Sequence, residues 1–242
     1  MNKEKHCLSE QIEYSIVIAV FNEEYSISPL FYSLKEIMDG LGDRYEIIFI
    51  DDGSTDSTLI RLNELSILHN SLRIIHFNLN RGQGKAMEEG FSNVKGKIII
   101  SMDGDLQNSP EDILKLIFEI KNGFDLVCGW RYIRRDNFVK RIKSNIGNYL
   151  QGKITGLNIH DIGCAMRAYR REIVSDITFH GKFDHSLLPY ILSKTKNIKI
   201  TEIKINDSYR KFGKTKYGHL STILGTVFDF VRLYILLRKQ NK

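Results

Sequence analysis

The chain has 242 residues, 42% of them hydrophobic, enough to bury one sizeable core. Its 35 Lys and Arg outweigh 29 Asp and Glu to give a net charge of +6, a balance that favours anionic partners: nucleic acid, phosphorylated metabolites or anionic membrane. Cys7, Cys128 and Cys164 form no C-x-x-C pair and the histidines no H-E-x-x-H or paired Cys/His spacing, which argues against a disulfide framework and against zinc.

The first residues carry charge but no apolar h-region, so residues 1–12 are expected to be a flexible tail rather than a signal peptide, and the thiols to be reduced in the cytosol. Residues 14–20, Y-S-I-V-I-A-V, read as an apolar strand running into Phe21-Asn22-Glu23-Glu24 without a glycine-rich turn, unlike a G-x-G-x-x-G dinucleotide fold. Ser28 and Pro29 read as an N-cap and a first-position proline, opening a helix with Leu30, Leu34 and Ile37 inward that stops at Gly40 or Gly42. Residues 45–50, Y-E-I-I-F-I, give a second buried strand ending in Asp51-Asp52-Gly53-Ser54-Thr55-Asp56, with residues 55–57 capping a helix through His69. A third strand over 72–77 leads through Asn80 and Arg81 into a helix ending near Val94. Gly82-Gln83-Gly84-Lys85 lacks the full phosphate-loop pattern, so it reads as a glycine-permitted turn with Lys85 a weak candidate for facing a phosphate.

Residues 97–107, K-I-I-I-S-M-D-G-D-L-Q, are the stretch the chain is organised around: a strand buried on both faces that ends in two carboxylates. In extended chain, residues two apart point to one side, so Asp103, Asp105 and Gln107 can present oxygens towards one point, as a hard cation requires. A solvated acidic turn fits the same residues. Ser109-Pro110-Glu111-Asp112 then opens a helix ending near Asn122-Gly123, and residues 124–129 form a fifth strand. Strand starts near 14, 45, 72, 97 and 124 are about one β-α-β unit apart, which predicts a parallel, helix-covered sheet with ligands beyond the strands' carboxyl ends. Asn22/Glu23, Asp52, Asn80, Asp103/Asp105 and Arg131 should therefore line one crevice.

Beyond Arg131 the chain turns basic, with Arg134, Arg135, Lys140, Arg141 and Lys143, a run that fits a solvated helix face or phosphate contacts. Residues 161–167 read as a tight turn into a strand, 183–194 as a short helix, 198–205 as an alternating edge strand, and 208–217 as a basic, glycine-hinged loop of the kind that folds over anions.

Taken together, these residues resemble the family 2 glycosyltransferases of GT-A fold, and most closely the polyprenyl-phosphate sugar transferases typified by dolichol-phosphate mannosyl- and glucosyltransferases. The opening V-P-x-Y-N-E appears as Ile18-Ala19-Val20-Phe21-Asn22-Glu23, with Ala for Pro and Phe for Tyr. D-D-x-S-x-D matches residues 51–56, D-x-D-L-Q residues 103–107, G-x-R-Y residues 129–132, and R-x-x-G-x-S-K-Y residues 210–217 with Thr215 for Ser. The resemblance implies an α/β catalytic domain over residues 1–212, with the basic loop and a C-terminal amphipathic helix over 213–242. It implies donor binding by Ala19, Phe21, Glu23, Ile50, Asp52, Asp103, Gly104 and Asp105, and a magnesium or manganese ion on Asp103, Asp105 and Gln107. Arg210 and Lys216 would bind the donor pyrophosphate and Arg131 and Arg141 the acceptor phosphate, with Asp105, Arg131, Arg210 and Lys216 carrying catalysis.

The implied reaction moves a hexose-type sugar, with inversion, from a UDP- or GDP-sugar to a polyprenyl or dolichyl monophosphate. That acceptor is largely dianionic at neutral pH and needs no general base. A sugar-hydroxyl acceptor, as in polysaccharide or teichoic acid assembly, is the alternative, with Asp161 or Asp184 as its base. A nucleic-acid-binding protein is supported by charge alone. Residues 220–237 are apolar on one helical face but carry Asp229 and Arg232, which fits an interfacial helix or one packed on its own domain or a dimer mate better than a span. The expected location is the cytoplasmic face of the membrane, bound to the surface or to a separate membrane protein.

Overall fold

The structure is a computed structural model and describes residues 11–132, 157, 159–179 and 185–208. Seven strands form one sheet: β1 (Tyr14–Val20), β2 (Tyr45–Asp51), β3 (Leu72–His76), β4 (Ile98–Asp103), β5 (Leu126–Arg131), β6 (Arg167–Arg170) and β7 (Ile200–Ile205). Their order is β3-β2-β1-β4-β6-β5-β7. The first four strands pair in parallel, as the β-α-β spacing predicts, but β6 enters antiparallel between β4 and β5. β7 pairs parallel to β5 at the sheet's edge.

Alternation along each strand sends side chains to two cores. Ile16, Ile18, Ile47, Phe49, Ile100 and Met102 face α1 (Ile27–Leu41), α2 (Thr58–Leu68) and α4 (Asp112–Lys121). Val17, Ile48, Ile50 and Ile99 face α3 (Gln83–Ser92), α5 (Arg171–Val174) and α6 (Leu188–Thr195). β1, β2 and β4 are buried almost throughout, which explains their continuous apolar runs. Cys128 and Cys164 are free and buried, and burial pushes both thiols up to about 12.

Several boundaries differ from the sequence reading. α1 begins two residues earlier, with Ser26 as its N-cap, because the chain already turns at Glu23, whose carbonyl accepts the Ser26 and Ile27 amides. Pro29 falls inside the first turn, where its missing N–H has no helical partner to lose. Phe31 and Met38 join Leu30 and Leu34 inward while Ile37 is half-buried, and Gly42, left-handed at φ 72°, ends the helix. α6 is shorter than the span expected over 183–194, and β7 starts at Ile200 with most of its residues half-buried rather than alternating.

Gly53 makes the turn beyond β2 at φ 71°, and a Cβ there would sit 2.6 Å from both the Asn80 nitrogen and the Leu79 carbonyl carbon. Gly53→Ala is expected to lower stability by about 1–3 kcal/mol through backbone strain and overpacking against main chain. Thermal denaturation checks it, and an unchanged Tm would contradict the close approach.

Candidate active site

The carboxyl ends of β2, β1 and β4 lie side by side. Ala19 pairs with Ile50 on one side and Asp103 on the other, so three expected donor-binding positions form one row across the sheet. The loop after β1 is fastened to the loop after β2. Asn22, at φ 54°, accepts the Thr55 amide at 2.8 Å and donates its own amide to Ser54 Oγ at 2.9 Å; the Glu23 amide donates to Thr58 Oγ1 at 2.8 Å. Phe21 is half-buried, and the Glu23 side chain is buried and accepts from Ser26 Oγ at 3.2 Å.

Asp52 is buried too, but its carboxylate accepts the Arg81 and Gly82 amides at 2.7 and 2.9 Å, clamping the loop after β3. Burial raises its pKa against the pull of those amides. The carboxylate thereby holds the crevice wall. The Lys85 ammonium donates to Glu88 at 2.9 Å and to the Phe179 carbonyl at 3.1 Å.

Asp103 ends β4 and Asp105 follows on a turn. Gly104 brings that turn against β1, where an added Cβ would lie 2.6 Å from Val20 Cγ1. The extended geometry expected through Gln107 does not form. Leu106 is left-handed at φ 61°, Asp105 accepts the Gln107 amide at 3.1 Å, and Gln107 Nε2 donates to the Ser208 carbonyl at 3.3 Å. The Ser208 amide returns to the Gln107 carbonyl at 2.8 Å, so the chain leaving β7 is joined to the turn bearing Asp105. Burial pushes Asp103 up to about 6, and the Asp105 charge pushes the same way, against Arg131, a 3.0 Å hydrogen bond from Gln83, and Arg167.

Across the lip, Arg131 ends β5 and forms a two-pronged ion pair with Asp161, Nε to Oδ2 at 2.7 Å and Nη2 to Oδ1 at 3.0 Å. Asp161 is buried, with 3% of its side chain exposed against 20% for Arg131. Burial works against the Arg131 charge, and Asp161 more than offsets it, so the guanidinium stays protonated. Glu202 of β7 accepts the His160 amide at 2.8 Å and the Asp161 amide at 3.2 Å, fixing the turn that presents Asp161. Arg167, buried on β6, donates to the carbonyls of Ile162, His185 and Ser186 and ties that turn to the approach to α6.

The structure thus brings Ala19, Phe21, Glu23, Ile50, Asp52, Asp103, Gly104, Asp105 and Arg131 to one end of the sheet. Arg141, Asp184, Arg210 and Lys216, and the tail over 220–237, lie outside the described residues. Sequence reasoning missed Gln83, Glu202 and the pairing of Arg131 with Asp161. The first left a signal, a side-chain amide at the glycine-entered start of α3; the other two join residues 30 or more apart in the chain.

Similarity to known proteins agrees with this arrangement. The Glycosyl transferase family 2 model matches residues 15–178. A dodecaprenyl-phosphate galacturonate synthase of Rhizobium johnstonii is 34% identical over 232 residues, covering 95% of this chain and 68% of that protein. A crystal structure of glucosyl-3-phosphoglycerate synthase from Mycobacterium tuberculosis, in complex with Mn2+, UDP and glucosyl-3-phosphoglycerate, superposes with a TM-score of 0.68 at 19% identity, covering 94% of this chain and 80% of that one. A UDP complex of the same enzyme gives 0.64 at 20% identity, covering 88% and 75%.

Because Asp103 binds its proton more tightly folded than unfolded, the folded protein holds more protons than the unfolded chain between about pH 4 and about pH 6. In chelator, stability is therefore expected to fall as pH rises through that window, and Asp103→Asn to flatten the dependence. Denaturant midpoints measured across the window check the slope; a variant with the wild-type slope would show that Asp103 is not the group responsible.

Proposed function

The chain belongs to glycosyl transferase family 2, and from that premise we propose that it moves a sugar from a nucleotide diphosphate to the phosphate of a polyprenyl lipid. The observation that carries this reading is the division of one sheet end into two charged halves. A pair of carboxylates, Asp103 and Asp105, stands on the donor side, and a half-buried, permanently charged Arg131 on the other. The Rhizobium relative, named for a dodecaprenyl phosphate, supports the lipid phosphate as acceptor, and the Mycobacterium complexes support UDP as the nucleotide. UDP or GDP, and the sugar, are what the assay below decides.

The two carboxylates fit a hard divalent ion, magnesium or manganese. Burial of Asp103 and, second to it, the Asp105 charge hold the Asp103 pKa up, and a cation beside the pair would counter both. Among the described residues no group of three or more His, Cys, Asp or Glu side chains is placed to hold a metal, so Asp103 and Asp105 would share the ion with water and donor phosphate. Such an ion supplies electrostatic stabilisation to a leaving diphosphate.

The chain's own residues do the rest. Ala19 and Ile50 shape the donor wall beside Asp103, and the Asp52 clamp holds it in place. Arg131, preorganised by Asp161, binds the acceptor phosphate and screens it from the diphosphate. Arg141, Arg210 and Lys216 complete the phosphate contacts in this reading. Support for Arg210 comes from Ser208, two residues before it, which is hydrogen-bonded to Gln107 on the Asp105 turn. The acceptor's own ionisation provides the nucleophile, so no side chain need take a proton. Asp161, the described candidate for a base on the hydroxyl-acceptor reading, has both oxygens on Arg131. The reaction takes place at the membrane surface, where such an acceptor resides. Among the described residues no helix is long and apolar enough to cross a bilayer.

UDP- and GDP-sugars offered with a short-chain prenyl phosphate and manganese, read by mass spectrometry, should give a glycosyl phosphoprenol. Asp105→Ala or chelation should reduce the rate about a hundredfold or more. No product from any donor, or full activity in chelator, overturns the proposal.

Asp161→Asn and Arg131→Ala should both raise the KM for the prenyl phosphate, and the double variant should cost little more than Arg131→Ala, since the two act as one unit. If Asp161→Asn instead lowers kcat with acceptor KM unchanged and abolishes the acidic limb of the pH profile, Asp161 is a proton acceptor and the acceptor is a hydroxyl.

A further inference from the structure

We infer that the outer end of β5 and β7, formed by Trp130, Tyr132, His160 and Lys204, is the surface that seats the protein on an anionic bilayer. The inference rests on the lipid acceptor proposed above. Trp130 pairs in register with Lys204, one step before the Arg131 and Ile205 pair that closes the sheet's carboxyl end. The His160 ring stacks on Trp130 at 4.2 Å with 14° between planes, and Tyr132 meets Trp130 edge to face at 5.1 Å. Lys204 lies over Tyr132 at 4.1 Å and over Trp130 at 5.5 Å. Tyr132 is 55% exposed, Trp130 is half-buried, and His160 and Lys204 are exposed.

Indole, phenol and ammonium together are the side chains that settle at the headgroup level, with an apolar body towards the acyl chains and a polar tip in water. The cluster is also held rigid. Glu202, facing it from β7, is engaged by the His160 ring at 2.9 Å and by the His160 and Asp161 amides, so the patch's one described carboxylate is turned inward and Lys204 remains to meet lipid phosphate.

Position completes the argument. An acceptor phosphate on Arg131 lies at headgroup depth, so whatever flanks Arg131 at this lip must reach the same depth. Trp130 and Tyr132 are its neighbours in the chain. The same Glu202 that orders His160 against Trp130 orders Asp161 against Arg131, so seating and phosphate binding share one support. Phe118, Ile67 and Leu79, exposed on α4, α2 and the loop after β3 respectively, have among the described residues no such cation and aromatic company in one cluster with Arg131.

Trp130 is the chain's only tryptophan and reports on the contact without any substitution. Full-length protein mixed with phosphatidylcholine and phosphatidylglycerol vesicles should show a blue-shifted Trp130 emission that brominated lipid quenches. Tyr132→Ala combined with Lys204→Glu should weaken vesicle partitioning by about fivefold or more, while transfer to a short, water-soluble prenyl phosphate keeps the wild-type rate. Absence of vesicle binding overturns the inference. Binding that leaves Trp130 emission unmoved and unquenched also overturns it and moves the contact elsewhere, residues 220–242 included. Emission already shielded from acrylamide before lipid is added, and unmoved by vesicles, marks cover by another part of the chain or by a second copy and overturns it as well. Quenching by lipid without transfer to the soluble acceptor sustains the membrane contact and counts against the acceptor reading alone.

Discussion

Two carboxylates, Asp103 and Asp105, end a strand whose other residues are almost wholly buried, and the rest of the crevice is arranged around that charge. Burial alone would favour protonated Asp103, and its neighbour's charge adds to the effect. The protein answers from two sides, with the Gln83 amide at the start of α3 and the guanidiniums of Arg131 and Arg167. Gln83 reaches Asp103 directly, at 3.0 Å, while Arg131 is itself held in the two-pronged pair with Asp161. A cation brought from solution would relieve the remaining repulsion, which is the electrostatic reason to read the pair as a metal site rather than a turn.

The second half of the site depends on β6. By returning antiparallel between β4 and β5, it places one strand between the strand that ends in Asp103 and the strand that ends in Arg131. Its first residue, Arg167, spends its donors on carbonyls of the 162 turn and of residues 185 and 186, a structural task that its position near Asp103 would not suggest. Glu202 then fixes the turn that presents Asp161. A buried arginine, a buried aspartate and a glutamate at the sheet's edge thus form a connected polar network, each group oriented by the next.

The donor half shows the same economy of means. Loops after β1, β2 and β3 are joined by side chains accepting backbone amides, Asn22 for Thr55 and Asp52 for Arg81 and Gly82. Asp52, whose acidic place at a strand end is a local pattern, thus also holds the wall of the crevice through contacts some thirty residues away.

How much of this was legible in the chain follows from the range of the forces involved. Apolar runs at β-α-β spacing, acidic residues at strand ends and the D-G-D-L-Q stretch are local patterns, and from them the α/β class, the first four parallel strands and the family could be read. Helix starts slipped where a carbonyl such as that of Glu23 began the turn before the expected cap. The insertion of β6, the commitment of Asp52 to the β3 loop, the bend that turns Gln107 towards Ser208, and the pairing of Arg131 with Asp161 were decided only in three dimensions. Each joins groups that no short-range preference links, and burial strengthens hydrogen bonds and charge pairs that would be weak in the unfolded chain.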